Sequence, residues 1–583
     1  MRVFQVLNER GVIRAAILYA AGAFGTIEIL DWLIQSLALD LPSWVMPGIA
    51  IVFLAGFPVA LYLSWVTDIE QKPFVTITAA ALILVGGSLA LFFTVDPLDP
   101  RTPRLAVMLP SGDAPPDDVA VWASNDLRDL LDEIDELQVL GRTTVMMASM
   151  VPAEADQSLA DFGATHRVRS ELVRGSGRLQ YRVVLEEQGG KEVWSDSYTG
   201  APMDLFKFQK AAVEGISDAL GVPENAAGLR VVRLRQNPTE QLEAFEALSR
   251  GQAKFWMTGD VFCEQAMADF ERAIEIDPLM GQAYLHKGLC MGLRAWLPEL
   301  PRDHPLWETA VVNLRRGAEL DPSITTEAYE RIADFEAARN RWDASREALE
   351  KAKAVDPDAF SFVYSNSTGH CAEVIERMSA DYELDPLSPL NATLVSTGYL
   401  TCPGMLDREQ GLRWLEIARG TQSGGNSDRA IPALLEVGDR AEAIRIWDQT
   451  VAMFQPELLT AGIDLEELRD LQFTALQDSS GVESYAAKIE DLARQGLFPP
   501  HRSAFAFIAV GAVDSAYQAL NKTIESQRFN IHDFMQYGSG PRKVRDDPRY
   551  MQVMDRIGLV DHWRQYGLPP LCETEENNEI RCI

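Results

Sequence analysis

The chain has 583 residues, more than one hydrophobic core organises, so several domains are expected. Its formal net charge of −32 gives it an acidic surface, which repels the phosphates of nucleic acids and of anionic lipids. We therefore expect no nucleic-acid partner.

Three apolar runs occupy most of the first 96 residues: 15–34, 44–66 and 74–95. Each is close to the ~20 residues that a helix needs to cross a hydrocarbon core. Arg2, Arg10 and Arg14 precede the first run. The next loop, 35–43, has no Lys or Arg, and basic residues mark the cytoplasmic side of a membrane. The pattern predicts a membrane domain, 1–96, with three transmembrane helices in the inner (cell) membrane, a cytoplasmic N-terminus and periplasmic soluble domains.

Two acidic residues, Glu28 and Asp31, lie one helical turn apart in the first apolar run. Carboxylates inside a membrane are costly, which makes them candidates for a functional role. The alternative is that both lie near the outer interface, where water reaches them. A cleaved signal peptide fits the first run less well, because the run is long and no small-residue cleavage site follows it.

A proline-containing linker, 97–103, leads into a predicted α/β domain, 104–222. Its predicted helices are Asp117–Ile134 and Asp204–Leu220, and its extended candidates are Arg104–Pro110, Leu137–Leu140, Thr144–Ala148, Thr165–Leu172, Gln180–Glu187 and Val193–Tyr198. The last three have glycine turns between them, which is typical of an antiparallel meander.

An all-α region of tetratricopeptide-like repeats is predicted over 223–565, degenerate after about residue 420, with a tail at 566–583. Aspartate–proline pairs begin at 277, 321, 356 and 385, at intervals of 44, 35 and 29 residues. These intervals scatter around the ~34 residues of a tetratricopeptide repeat. Ala266, Phe270 and Ala273 precede the first pair at the spacing of inter-helix contacts. The concave inner face of such a superhelix is the usual binding surface, and the predicted partner is a protein or peptide.

The six cysteines predict three disulfide bonds: Cys263–Cys290, Cys371–Cys402 and Cys572–Cys582. In the first two pairs, the cysteines flank an Asp–Pro turn at similar distances. Helices joined by a short turn run antiparallel, so these residues come level with each other. The alternative is six reduced thiols in a cytoplasmic protein.

No catalytic, cofactor or metal site is predicted, because the chain lacks a phosphate-binding loop, a nucleophile elbow and a His-Glu-x-x-His pair. Acidic clusters such as 129–136 are interpreted as solvated helix faces. Trp256, Trp296, Trp307 and Trp342 are interpreted as packing between helices rather than a ligand cage.

Several segments resemble a bacterial group that joins a membrane segment to a TolB-amino-terminal-like (FlgO-like) domain and tetratricopeptide repeats. They are LPSWVMPGIAIVFLAGFPVALYLSWV (41–66), RLAVMLP (104–110), LQVLGRTT (137–144), GKEVWSDSY (190–198) and DDPRYMQVMDRIGLVDHWRQYGLPPLC (546–572). The group is related to the exported parts of CadC-like regulators and of class III adenylate cyclase fusions. Only about a dozen residues precede the first apolar run here, so no cytoplasmic effector domain is expected.

The expected function is a non-enzymatic, membrane-anchored periplasmic repeat protein that mediates protein–protein interaction. One alternative is the sensory half of a transmembrane signalling system that acts on a separate cytoplasmic effector. A second alternative, a cyclase-related enzyme, is disfavoured because no catalytic domain is recognisable.

Overall fold

The structure is a computed structural model. It describes residues 102–110, 117–149, 155–175, 177–258, 263–296, 300–401, 405–419, 428–527, 539–569, 572–574 and 580–582. All elements below belong to these residues.

The predicted membrane domain requires correction. Among the described residues, no helix combines the length and the apolar character that crossing a bilayer requires. Helix Leu242–Thr258, for example, is 17 residues long and contains four charged residues. The three apolar runs, with Glu28 and Asp31, lie outside the described residues. The fold class is therefore mostly helical with a small sheet, and neither the three transmembrane helices nor the inner-membrane and periplasmic localisation is retained.

The first region of the described chain, 104–222, is called the α/β unit. Its strands are β1 (Arg104–Val107), β2 (Gln138–Val139), β3 (His166–Gly175), β4 (Arg178–Glu187) and β5 (Glu192–Gly200), and its helices are α1 (Asp118–Asp132), α2 (Arg142–Ser149), α3 (Ala155–Asp161) and α4 (Leu205–Ala219). The sheet order is β2-β1-β3-β4-β5. β1 runs parallel to β2 and β3, and β3-β4-β5 form an antiparallel meander.

Side-chain alternation along β1 divides the core of the α/β unit into two layers. Leu105 and Val107 pack with α1 and α4, whereas Ala106 packs with α2 and α3. The segment Thr144–Ala148, predicted to be extended, is part of helix α2. Its Thr and Val residues favour strands, but Val145 and Ala148, about one helical turn apart, both pack in the core beside Ala106, and tertiary packing overrides that local preference.

Helices follow almost continuously after the α/β unit. They are α5 (Ala227–Leu234), α6 (Leu242–Thr258), α7 (Cys263–Ile276), α8 (Gly281–Trp296), α9 (Pro305–Leu320), α10 (Thr325–Ala338), α11 (Trp342–Lys353), α12 (Phe362–Thr368), α13 (Cys371–Leu384), α14 (Pro389–Thr401), α15 (Arg408–Arg419), α16 (Ile431–Glu436), α17 (Arg440–Phe454), α18 (Pro456–Thr460), α19 (Leu465–Gln477), α20 (Val482–Arg494), α21 (Pro500–Val510), α22 (Val513–Glu525), α23 (Ser539–Arg545), α24 (Arg549–Arg556) and α25 (Leu559–Tyr566). A short hairpin, β6 (Cys572–Thr574) and β7 (Ile580–Cys582), follows them.

Consecutive helices pack in pairs, which makes this region a tetratricopeptide-like superhelix. In the pair α6–α7, the ring of Phe270 lies over Gly251, where a Cβ atom would come within 2.5 Å of it. Ala266 and Ala273 are fully buried beside Phe270, as the repeat pattern predicts. Trp307 and Trp342 are also buried, in the core that the following helix pairs share.

The C-terminal helices return to the middle of the superhelix. The indole N–H of Trp342 in α11 donates to the carbonyl of Ile557, 2.8 Å away. His562 in α25 lies between Asp343 and Tyr364, with a hydrogen-bond distance of 2.9 Å to each. The last helices therefore cover α11 and α12 rather than extending the superhelix away from its start.

Two of the contacts between the α/β unit and the superhelix lie far apart along the chain. The rings of Trp122, Phe206 and Phe245 form a cluster that joins α1 and α4 to α6, with centroids 4.8 to 5.5 Å apart. Farther along the chain, the amide of Gly141 donates to the carbonyl of Leu384, 2.7 Å away. The α/β unit is therefore held by the first helix pair and by the turn that follows α13.

Candidate functional site

The structure contains two of the disulfide bonds that the sequence predicts in full. Cys263, at the start of α7, is bonded to Cys290 in α8, with Cα atoms 5.5 Å apart. Cys572 and Cys582 close the β6–β7 hairpin. The prediction is confirmed for these two pairs. Cys371 is disulfide-bonded, and its predicted partner, residue 402, lies outside the described residues.

A cavity of about 50 Å³ lies among helices α16, α17, α19, α20 and α21. Its walls include mainly apolar side chains: Ile431, Trp447, Val451, Leu468, Tyr485, Phe498, Phe505, Ala506 and Ala509. The space is a partly open pocket rather than a closed void. It has room for a few waters or for the end of one apolar side chain.

The aromatic wall of this cavity is held in place by a hydrogen bond. The indole N–H of Trp447 donates to Gln472 Oε1, 2.7 Å away, and only 5% of Trp447 is exposed. Tyr485 is 2% exposed, and burial raises the pKa of its hydroxyl. Packing and this hydrogen bond therefore fix the positions of the two rings.

Two charged side chains lie at the solvent-facing side of the cavity. Asp428 and Arg502 both line it, beside the half-buried ring of Phe505. Burial raises the pKa of the Asp428 carboxyl, while the charges of Arg429 and Arg502 oppose that rise. The site thus combines apolar walls with one acidic and one basic group, the arrangement of pockets that anchor a side chain and orient the chain carrying it.

A second cavity, of about 60 Å³, opens beyond the carboxyl end of β1, between α1 and α2. Ligands bind at such a switch point in many open α/β sheets. The charged side chains that line this second cavity, however, already make contacts within the α/β unit. Arg142 donates to Asn125 Oδ1 at 2.9 Å and pairs with Asp129, while Arg128 donates to the carbonyl of Leu140. The cavity among the later helices, whose walls carry several aromatic rings, is taken as the candidate site.

No group of three or more His, Cys, Asp or Glu side chains in the described part of the chain is arranged to hold a metal ion. The most buried histidine of the first repeats, His286, lies 3.1 Å from Gln252 and 2.9 Å from the carbonyl of Gln282. Burial lowers its pKa. These contacts give His286 a structural role.

The candidate cavity lies where the sequence shows only degenerate repeats, and sequence analysis did not identify it. Trp447, Tyr485, Phe498 and Phe505 are the signal in retrospect, because large aromatic residues accumulate there at irregular spacing. Nothing local in the sequence shows that their rings surround one space.

Comparison with known proteins matched no protein-family model and no curated protein. Among solved structures, a human IFIT1 dimer with m7Gppp-AAAA is 14% identical, covers 55% of this chain and 77% of its own, and has a TM-score of 0.33. A human IFIT1 dimer with PPP-AAAA is 13% identical, covers 55% and 86%, and has the same TM-score. Similarity at this level carries no conclusion about function. The assignment of a tetratricopeptide-like superhelix is based on the helix pairs described above.

Proposed function

We propose that this protein is a non-enzymatic helical-repeat scaffold that binds a peptide segment of a partner protein. The observation that supports the proposal is the aromatic cavity among α16, α17, α19, α20 and α21, with Asp428 and Arg502 beside it. Stacked helix pairs commonly bind extended segments, and such segments gain most of their affinity from a few side chains buried in pockets.

The cavity would receive one apolar side chain of the bound segment. Contacts with the rings of Trp447 and Tyr485 would remove that side chain from water, which favours binding by the area buried. Asp428 and Arg502 would hydrogen-bond to main-chain amide and carbonyl groups on either side of the anchor. In this arrangement the cavity supplies most of the affinity for the bound segment, and the charged pair sets its orientation.

Protein is proposed as the partner in preference to nucleic acid because of the net charge of −32. A chain with that charge repels a phosphate backbone unless a basic surface compensates for it. No catalytic activity is proposed. Turnover of a nucleotide by the purified chain would contradict that part of the proposal.

The test is site-specific photo-crosslinking in cells that express the full chain. A benzophenone amino acid at Phe505 should form a discrete adduct with a partner, whereas the same group at Leu459, which is 52% exposed on α18, should not. The adduct from position 505 should disappear in a chain that also carries Ala509→Met. That flexible side chain fills the cavity and leaves the surface unchanged.

The melting temperature of Ala509→Met should equal or exceed that of the parent chain, because filling a cavity adds contacts. A folded Ala509→Met chain that still forms the adduct would contradict the proposed site. Failure to form any adduct at position 505 would do the same.

A further inference from the structure

We propose that the free edge of strand β5 binds an extended, basic segment of a partner protein, which adds to the sheet as a sixth strand. This surface belongs to the α/β unit and is independent of the cavity proposed above.

Strand β5 is long for an edge strand. It spans nine residues, Glu192–Gly200, against about 5–6 in a typical strand. Within the described part of the chain it pairs with β4 and with no other strand. Proteins usually protect such edges with proline, with lysine, with a bulge or by shortening the strand. β5 contains neither proline nor lysine, and most of its residues are exposed. A bulge at Val193 interrupts its pairing with β4, so the regular part of the edge begins at Trp194.

One hydrogen bond shows which main-chain groups of β5 point away from β4. The amide N–H of Ser197 donates to Oδ1 of the neighbouring Asp196, 2.7 Å away, so it does not point towards β4. Because hydrogen-bonding directions alternate along a regular strand, Ser195 and Thr199 also direct their main-chain groups outwards; Val193 lies in a bulge and is not part of this alternation. An incoming strand would take over the Ser197 N–H and release the Asp196 carboxylate.

The strand is held rigidly in the position that a ladder requires. The ring of Tyr198 stacks on Phe208 of α4, with centroids 5.4 Å apart and planes at 17°. The ring of Trp194 lies against Gly215 of the same helix and leaves no space for a Cβ atom there. A partner strand would therefore meet an ordered edge and would not bear the cost of ordering it.

The charge of this edge indicates which kind of segment fits. β5 carries two carboxylates, Glu192 and Asp196, and no basic side chain. Burial raises the pKa of the Tyr198 hydroxyl, and the negative charges of Asp196 and Glu214 raise it further, which reflects a locally negative potential. The bulge at Val193 places Glu192 and Asp196 on opposite faces of the sheet, so a segment with Lys or Arg along one face would pair with one of these carboxylates across the new ladder.

In two registers a second copy of the chain would place carboxylates against each other at this edge. Antiparallel pairing of two β5 strands centred on Trp194 would place Glu192 opposite Asp196, and centring on Asp196 would place that carboxylate opposite itself. Like charges directly opposite each other destabilise a strand pair. Two chains of net charge −32 would also repel each other at long range.

The test measures binding of a fluorescent peptide, acetyl-Lys-Val-Lys-Val-Lys-Val-Lys-amide, to the full chain by fluorescence anisotropy. Ser197→Pro removes the outward N–H, while Ser197→Ala keeps it, and the two variants have the same charge. The peptide should bind Ser197→Pro about tenfold more weakly than the parent chain and bind Ser197→Ala like the parent, as expected for the loss of main-chain ladder contacts. The Glu-for-Lys version of the peptide should not bind.

A second measurement does not depend on a variant that folds. The same peptide with methyl groups on alternate backbone nitrogens keeps its charge and loses ladder donors, so it should bind the parent chain more weakly. Equal binding of the methylated and unmethylated peptides would show that attraction is only electrostatic and would overturn the proposal. Equal binding of the peptide by folded Ser197→Pro and folded Ser197→Ala would also overturn the proposal. Dimers of the parent chain that Ser197→Pro abolishes would instead assign the edge to a second copy.

Discussion

Buried polar residues of this protein are held by hydrogen bonds and by contacts with aromatic rings, and His286 is an example. It is 7% exposed, packs against the rings of Phe255 and Phe270, and is bonded by Gln252 and the carbonyl of Gln282. Burial lowers its pKa because the charged imidazolium loses its hydration. The folded state therefore holds His286 neutral at pH values where the unfolded chain begins to bind a proton.

This shift predicts a pH dependence of stability. The unfolded chain protonates His286 below its ordinary pKa of about 6.5, whereas the folded chain does so only at lower pH. The contribution of His286 to the free energy of unfolding should therefore fall as the pH decreases from 7 to 5. His286→Gln should reduce that slope, since glutamine keeps a polar contact and does not titrate. Urea unfolding at pH 7, 6 and 5 measures both slopes, and identical slopes would refute the assignment.

Pairs of helices are the next level of organisation, and their spacing depends on small residues. Gly251 in α6 lets the ring of Phe270 in α7 approach the helix backbone, and Gly288 has the same relation to Leu314 in the next pair. Glycine lowers helix propensity, so its presence inside helices has a packing reason. The Cys263–Cys290 bond joins α7 to α8 and so links the first of these pairs to the second.

Gly251→Ala should destabilise the fold by about 1–3 kcal/mol, because a Cβ atom 2.5 Å from the Phe270 ring forces the helices apart. Helix propensity alone would favour alanine by ~1 kcal/mol, so the sign of the change separates packing from propensity. The double variant Gly251→Ala/Phe270→Leu should be less destabilised than the sum of the single variants. Urea denaturation of the four chains measures this coupling, and strict additivity would contradict a direct contact.

Element prediction succeeded where the pattern was local and failed where distant contacts decided. The Asp–Pro turns and the glycine turns of the meander are visible in short windows, because proline and glycine restrict or permit particular backbone angles. The segment Thr144–Ala148 has strand-forming residues, yet it forms helix α2. Its N-terminal amide at Thr144 is bonded by Asp385, which lies 241 residues later in the chain.

The architecture of the whole molecule rests on contacts between regions far apart in sequence. Asp385 Oδ1 accepts from the Thr144 amide at 2.6 Å, and the Leu387 amide donates to the Thr144 hydroxyl at 3.0 Å. The aspartate of a repeat turn thus caps a helix of the α/β unit. Arg174, paired with Glu246 of α6 at 2.6 Å, adds a further link between the two regions.

Asp385→Ala should loosen this link without unfolding the superhelix. Loss of a cap costs about 0.5–2 kcal/mol, so the first amides of α2 should exchange with deuterium several-fold to about 30-fold faster. Amides in the β3–β4 ladder should keep their protection, which provides an internal control. Hydrogen exchange with mass spectrometry resolves the two regions. Unchanged exchange in 142–149 would show that the turn after α13 does not hold α2.

The sequence was sufficient for features that depend on short spacings. The repeat of helix pairs follows from the Asp–Pro intervals, and the pairs Cys263–Cys290 and Cys572–Cys582 follow from positions around a turn or within one short loop. Hydropathy gave three transmembrane helices and a membrane location, and both are corrected, because none of the helices in the described ranges is long and apolar enough to cross a bilayer. Only the tertiary structure decided where the candidate cavity lies and which of the described strands lies at the edge of the sheet. Both arise from how distant helices and strands pack, and no local pattern of residues encodes the distance between elements that are far apart in the chain.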